Sequence, residues 1–233
     1  MRTERIEWLH ALTFFPVVFP VNCYLVEEEQ ELTLIDAALP VSAKGILAAA
    51  ERIGKPITRI ALTHAHDDHV GALDALRTAL PDAQVLISAR DARLLAGDRS
   101  LEAGEPQTPI RGGVPKGLKT RPDGELADGD RIGSLQAIAA PGHTPGSMAF
   151  LDTRTGALIA GDSFQTRAGV AVSGKTVPLF PFPAFATWHK GEAVQSARRL
   201  RDLQPSLLAV GHGRMLSSPV AAMDRAIAAA ERS

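Results

Sequence analysis

The stretch "THAHDDHVGALDAL" at residues 63–76 places three histidines and two aspartates within six consecutive positions. The whole chain has only seven histidines. A strand-like run at 59–63 leads into this stretch, and a helical pattern starts near Gly71. Functional groups concentrate at strand-to-helix turns of this kind, so the pattern favours a site over a solvated polar turn. The clustered residues are His64, His66, Asp67, Asp68 and His69.

The donor types in this cluster are those of a metal site. Imidazole nitrogens and carboxylate oxygens suit Zn²⁺, Mn²⁺ or Fe²⁺. His64 and His66 are two residues apart, so they point the same way in an extended segment. Asp68 and His69 lie at the turn and can face a second point nearby. The cluster therefore offers more donors than one metal ion needs, whereas Asp67 is interpreted as solvent-facing or helix N-terminal.

Three further donor-type residues follow apolar strand-like runs elsewhere in the chain. Each comes directly after a glycine, which lets the backbone bring the side chain into a crowded site. A lone histidine is usually a surface or core residue, and His10 is interpreted in that way. The joint pattern favours a metal centre. The three residues are His143 in "APGHTPGS", Asp162 in "LIAGDSF" and His212 in "LLAVGHG".

Taken together, these motifs resemble the metallo-β-lactamase-fold hydrolase superfamily, in its glyoxalase II and lactonase-like branch. The resemblance rests on Asp36 after "LTLI", the H-x-H-x-D-H run at 64–69, and then His143, Asp162 and His212, in that order. It implies an α+β fold, a four-layer αβ/βα sandwich of two mixed β-sheets with helices on the outer faces. We expect residues 1–233 to form one such domain.

The resemblance also implies a ligand set for two divalent metal ions. Zinc is the first choice, with manganese or iron as alternatives. Asp36 would orient the cluster without binding metal. The implied sets are His64, His66 and His143 for the first metal, Asp68, His69 and His212 for the second, and Asp162 between the two.

The expected activity is that of a dinuclear hydrolase. A hydroxide held between the metals would cleave a carboxylic ester, lactone or thioester, and Asp68 or a bound water would carry the proton to the leaving group. Three alternatives remain open: a mononuclear iron persulfide dioxygenase, a phosphodiesterase or nuclease of the same fold, and a non-catalytic metal-binding module. The intact ligand set argues against the last.

Two segments, 102–122 and 163–190, are predicted to be long loops, which in a compact domain are usually functional or disordered. The second is rich in aromatic residues, which predicts an apolar wall or lid. A loop pinned to the surface by its own aromatic side chains is an equal alternative. His189, at the end of this segment, is either a substrate contact or a surface histidine at a helix start. The candidate substrate-binding residues are Phe182, Phe185, Trp188 and His189.

Composition narrows the class of partner. Apolar residues make up 45% of the chain and charged residues 22%, as in ordinary globular proteins. The net charge of −1 gives no support for nucleic-acid binding. One cysteine, Cys23, allows no intrachain disulfide. Two prolines interrupt the apolar stretch 11–26, so we interpret it as the entry to a core strand and not as a membrane span. We expect a cytoplasmic monomer or homodimer that acts on a small molecule away from membranes.

Hydrophobic periodicity predicts eight strands and four helices. The strands are expected at 22–26, 32–35, 59–63, 84–88, 135–140, 148–152, 157–161 and 207–210, and the helices at 41–53, 71–80, 192–203 and 219–231.

Overall fold

The computed structural model describes residues 1–232, and its strands are numbered in chain order. They are β1 (Arg2–Ile6), β2 (Leu9–Phe14), β3 (Val21–Glu27), β4 (Leu32–Ile35), β5 (Ile57–Ala61), β6 (Gln84–Ser88), β7 (Gly124–Leu126), β8 (Arg131–Ile132), β9 (Leu135–Ala139), β10 (Met148–Asp152), β11 (Ala157–Ile159), β12 (Phe164–Gln165), β13 (Ala171–Val172), β14 (Leu207–Ala209) and β15 (Leu216–Ser217).

The helices include all four that the periodicity predicts, with ends shifted by up to two residues. Two short helices were not predicted, and a further one-turn helix covers part of the histidine cluster. A single turn of 3₁₀-helix spans Gly161–Ser163. The α-helices are α1 (Ala43–Ile53), α2 (Asp67–Val70), α3 (Leu73–Ala79), α4 (Ala89–Leu95), α5 (Phe182–Ala186), α6 (Lys190–Asp202) and α7 (Val220–Glu231).

Two large sheets form the centre of the fold. The first has the order β1-β2-β3-β4-β5-β6-β7, antiparallel from β1 to β4 and parallel from β4 to β7. The second has the order β15-β14-β11-β10-β9-β8, in which only β11 and β14 pair in parallel. Both sheets are therefore mixed, as the fold class predicted from the sequence requires.

Three hydrophobic clusters fill the spaces between four layers. Side chains alternate along each strand, so β3 turns Leu25 toward the cluster that also contains residues of α1 and α3, and turns Val26 toward the second sheet. On β10, Phe150 faces the first sheet while Ala149 faces the cluster of α6 and α7. The two sheets thus pack face to face between outer helical layers, which confirms the predicted αβ/βα sandwich.

The strand directions bring one edge of each sheet together. Strands β9, β11 and β14 run the same way, so their carboxyl ends share an edge, as do those of β4 and β5. At this edge the amide of Met148 donates to the carbonyl of Thr63 across the sheets, at 2.8 Å. The Asn22 side chain and the Tyr24 hydroxyl both donate to the Val210 carbonyl, at 2.7 and 2.6 Å. The loops that follow these strands are held next to one another.

The two predicted loops differ in their outcome. Within the described chain, residues 102–122 carry no helix or strand, as expected. The 163–190 segment is not structureless, because it contains the β12–β13 hairpin and α5. Short strands of two residues and a five-residue helix leave too few periodic positions to be recognised from sequence.

Among residues 1–232, none of the helices is both long and apolar enough to cross a membrane.

Replacing Phe150 with alanine tests the packing between the sheets. Its side chain is fully buried, so we expect the free energy of unfolding to fall by about 3–5 kcal/mol. Denaturant unfolding in the presence of a chelator measures this without a contribution from bound metal. The matched control is Leu179→Ala, because Leu179 is 84% exposed and should change the unfolding free energy by less than about 0.5 kcal/mol. An equal loss in both variants would contradict the assigned core.

Candidate metal centre

All seven residues that the sequence analysis assigned to the metals lie together at this edge. They fall into three overlapping groups whose donor atoms lie within 4.8 Å of one another. Each donor follows a strand end or belongs to the turn of α2. The groups are His64, His66 and His143; His64, His69 and Asp162; and Asp68, His69 and His212.

Asp162 occupies the centre of the arrangement. Its Oδ1 atom lies 3.4 Å from Nε2 of His69, and its Oδ2 atom lies 3.3 Å from Nε2 of His143 and 3.2 Å from Nε2 of His212. Asp68 completes the outer side, with Oδ2 at 3.4 Å from the same nitrogen of His212. The Asp162 carboxylate therefore faces both the group predicted for the first metal and the group predicted for the second.

Asp36 fixes two of the imidazoles without reaching the centre itself. Its Oδ2 accepts hydrogen bonds from Nδ1 of His69 and from the Thr63 hydroxyl, both at 2.7 Å. Because the Thr63 proton is used in this way, its oxygen accepts from Nδ1 of His64, at 3.0 Å. In its neutral form, each of these rings thus carries its proton on Nδ1 and presents an unprotonated Nε2 to the centre. Those two Nε2 atoms, with Oδ1 of Asp162, are buried without a hydrogen-bond partner.

His66 and His143 face each other at close range. His66 donates from Nε2 to the Arg111 carbonyl at 3.0 Å, which leaves its Nδ1 unprotonated. The hydroxyls of Ser173 and Thr187 donate to backbone carbonyls, so both accept from Nδ1 of His143. Nδ1 of His66 and Nε2 of His143 are only 3.0 Å apart. Two lone pairs at this distance repel each other unless a cation lies beside them.

The ring of His212 is also oriented by a hydrogen bond from the nitrogen that faces away from the centre. Its Nδ1 donates to the Pro20 carbonyl at 2.7 Å, so Nε2 is free to face Asp162 and Asp68. The rings of Phe19 and Phe180 pack against the imidazole, with centroids 5.3 and 5.4 Å away. These contacts limit rotation of the ring and exclude water from one side of it.

Burial and charge divide the histidines into two sets. Burial lowers the pKa of His64, His66 and His143, so these imidazoles are neutral at neutral pH, as a metal ligand must be. Burial also acts to lower the pKa of His69 and His212, but nearby carboxylates, Asp162 foremost, raise both values overall. This half of the centre attracts a positive charge, so a metal must compete with protons for Nε2 of His69 and of His212.

The donor set therefore fits divalent metals. Five imidazoles and two carboxylates converge, each imidazole has its second nitrogen held by a hydrogen-bond acceptor, and three buried donor atoms have no partner within the described chain. Nitrogen and oxygen donors of this kind accept zinc, manganese or iron.

A cavity of about 800 Å³ opens onto the centre, within the size range of small-molecule sites. Phe182 and Phe185, two of the predicted substrate-binding residues, line this cavity, and they remain 52% and 63% exposed. Asp67 also lines it, at the exposed first position of α2.

Trp188 and His189 do not line this cavity, so the structure gives no support to their predicted contact with substrate. The Trp188 ring is buried in the core, and its Nε1 donates to the Thr108 carbonyl at 2.9 Å. The His189 side chain caps α6 by accepting from the amide of Glu192 at 3.1 Å. This agrees with the alternative interpretation of a histidine at a helix start.

Sequence reasoning missed several residues around the centre. Phe19 lines the cavity although it lies in the stretch that was interpreted as a strand entry. Arg111 acts through its backbone carbonyl, which no side-chain pattern reveals. Tyr24 is a buried part of the contact between the sheets, in keeping with its predicted strand position. The glycine pair at 112–113, "GG", was the available signal for a close backbone approach.

Fold and centre together define a four-layer αβ/βα protein whose clustered histidines and aspartates fit divalent metals. The family that matches residues 16–212 is the metallo-beta-lactamase superfamily, and this chain belongs to it.

The chain is similar to two proteins from Bacillus subtilis (strain 168) and to one solved structure. The chain is similar to the uncharacterized protein YobT, with 60% identity over 232 residues and 100% of both chains covered. It is 29% identical to the probable metallo-hydrolase YflN, covering 90% of this chain and 85% of that one. The structure of TTHA1623 in a di-iron-bound form matches with a TM-score of 0.66 and 28% identity, covering 90% and 95% of the two chains.

Gly112→Ala tests the support that the 102–122 segment gives to His66. Gly112 has φ +85°, and a Cβ there would lie 2.2 Å from Nε2 of His66. We expect this variant to bind metal at least about tenfold more weakly, since outer contacts of this kind contribute 10–100-fold. Metal content after dialysis against a graded chelator measures the change.

Gly117→Ala is the matched control for that variant. Gly117 lies in the same segment with φ +82°, but a Cβ there meets nothing within 4 Å. It carries the same backbone strain without the contact with His66, so its metal content should equal that of the wild type. Equal metal loss in both variants would mean that backbone strain alone, and not the contact with His66, weakens binding.

Proposed function

We propose that this protein is a hydrolase that uses two divalent metal ions to cleave a carboxylic ester, lactone or thioester with an apolar acyl group. The observation that carries the proposal is the position of Asp162. Its two carboxylate oxygens face donors of both metal groups, at 3.2–3.4 Å. Asp68, His69 and His212 add a second complete group of donors beside the trio of imidazoles, which supports two ions.

The roles of the chain's own residues follow from this arrangement. When bound, two such metals supply Lewis acidity and lower the pKa of water enough for nucleophilic attack at neutral pH. Asp162 is suited to hold both ions, because its Oδ1 faces Nε2 of His69 and its Oδ2 faces Nε2 of His143 and of His212. The carboxylate of Asp68 is partly exposed to the cavity and close to His212, where it can carry a proton to the leaving group.

The cavity wall favours an apolar acyl group. Phe19 and Phe182 pack edge to face with centroids 5.2 Å apart, and Phe180 lies behind them at 5.3 Å from each ring. This aromatic wall leads directly to His212. Each methylene of an acyl chain buried against it would contribute about 0.8 kcal/mol.

The charges around the cavity favour a carbonyl substrate over a phosphodiester. Asp67, Asp68 and Asp74 line it, and among the described residues Lys116 is the only lysine or arginine that does so. Phosphoryl substrates are usually held by several such cations. We therefore propose a small uncharged or weakly charged acyl compound as the substrate and zinc as the first metal to test.

The first experiment combines metal content with turnover. The zinc- or manganese-loaded protein should hold about two ions per chain. It should hydrolyse lactones and thioesters, which is measured by the proton that each new carboxylic acid releases, and chelation should abolish this hydrolysis. A phosphodiester tested beside them should turn over much more slowly. Turnover of the phosphodiester alone would contradict the substrate class. Oxygen consumption by a protein with one iron per chain, given a persulfide, would instead establish a dioxygenase.

His212→Ala tests the second metal position. Removing this ligand should leave about one ion per chain and lower kcat at least about a hundredfold, because the remaining donors no longer complete the second group. His10→Ala is the control, since His10 pairs with Glu27 at 3.0 Å outside this centre. Two bound ions in His212→Ala would contradict the assignment.

Phe182→Ala tests the acyl wall. For hexanoyl esters we expect KM to rise about tenfold, equivalent to about 1.4 kcal/mol, because one face of the chain loses its contact. For acetyl esters, which are too short to reach the ring, KM should stay within about twofold. Initial rates at varied substrate measure both, with Leu179→Ala as the exposed control. An equal change for both esters would show that the ring does not contact the acyl chain.

A further inference from the structure

Asp91 is a fully buried carboxylate that none of the steps above uses. It lies in the first turn of α4, outside the groups of donor atoms. Burial raises its pKa to about 6, whereas hydrogen bonds from two backbone amides and one hydroxyl favour its ionised form. A buried charge is costly to the fold unless it is fully hydrogen-bonded, so its partners indicate what it does.

The three donors to this carboxylate come from the two loops that carry the first group of imidazoles. Oδ2 accepts from the amide of Ala65, which lies between His64 and His66, at 2.9 Å. The same atom accepts from the Thr144 hydroxyl, next to His143, at 2.7 Å. Oδ1 accepts from the amide of Gly146, in the same loop as Thr144, at 2.8 Å.

The start of α4 and the loop that contains Gly146 also approach each other closely. A Cβ on Gly146 would lie 2.6 Å from Oδ1 of Asp91, so the loop approaches the carboxylate as nearly as a backbone can. The Ser88 hydroxyl accepts from the Asp91 amide and donates to the Gly146 carbonyl at 2.6 Å. The start of α4 is capped by Ser88, and all three donors to the Asp91 side chain lie outside the helix. The carboxylate therefore joins the two loops and does not cap its own helix.

We propose that Asp91 is a positioning residue that sets the distance between the His64–His66 turn and the His143 loop, and so fixes the geometry of the first metal site. This inference rests on the two-metal centre of the proposed function. It complements Asp36, which hydrogen-bonds directly to His69 of the second group. The two carboxylates thus act differently: Asp36 orients imidazole rings, directly for His69 and through Thr63 for His64, whereas Asp91 holds the backbone of two loops.

Asp91→Asn is the sharpest variant because it keeps the shape of the side chain. The asparagine oxygen can still accept from one backbone amide, but its NH₂ group must then face the other amide. The Thr144 hydroxyl can rotate to accept, whereas the amides of Ala65 and Gly146 cannot. We expect the two loops to separate and the first site to bind metal about 10–100-fold more weakly.

Cobalt(II) titration followed by visible absorption measures the two binding steps of the chain. In Asp91→Asn one step should weaken by about 10–100-fold while the other stays within about threefold. Asp152→Asn is the matched control. Asp152 is also a buried aspartate, but it pairs with Arg154 at the end of β10 away from Met148. Its two steps should equal those of the wild type.

Thr144→Val provides a second test if the asparagine variant does not fold. It retains the carboxylate and both amide donors and removes only the hydroxyl, so the same step should weaken by a smaller factor. Wild-type affinity for both ions in either variant would overturn the proposal, as would equal weakening of both steps. A wild-type chain that binds fewer than two cobalt ions would overturn the two-metal function itself, which separates the two failures.

Discussion

The rest of the structure depends on the convergence of unprotonated imidazole nitrogens on a buried carboxylate. Nδ1 of His66 and Nε2 of His143 face each other at 3.0 Å, and Oδ1 of Asp162 lies buried without a hydrogen bond. Such an arrangement is unfavourable by itself, because lone pairs repel and desolvated charge is costly. It becomes favourable once cations are bound. The fold holds these groups in place against their own repulsion.

The need to hold these mutually repelling groups in place explains the polar surroundings of the centre. Each imidazole has its outer nitrogen fixed by a partner of its own, and these partners include carbonyls, hydroxyls and the carboxylate of Asp36. Where a donor must be approached closely, the chain uses glycine. A Cβ on Gly211 would lie 2.0 Å from Oδ1 of Asp162. Because several strands of both sheets end at one shared edge, the loops that carry the donor side chains lie next to one another.

The sequence was sufficient to predict the fold class and the converging donors, because ligands such as His64 and His143 follow recognisable strand ends and stand beside glycines. It was not sufficient where a side chain works through tertiary contacts. Trp188 was predicted to contact substrate because it lies in an aromatic segment, but its ring packs in the hydrophobic core. Asp91 lies in a short helix with no pattern to distinguish it, since its role depends on two loops distant in sequence.

The donors are divided between the two sheets, and this has a thermodynamic consequence for the chain. His64, His66 and His69 follow a strand of the first sheet, whereas His143, Asp162 and His212 follow strands of the second. An unfolded chain, or one whose sheets have separated, has no comparable affinity for the ions. Metal supply and folding are therefore linked equilibria, and each tenfold rise in free metal above the dissociation constant of a site adds about 1.4 kcal/mol to the stability of the folded state. Metal starvation would therefore shorten the lifetime of the folded protein.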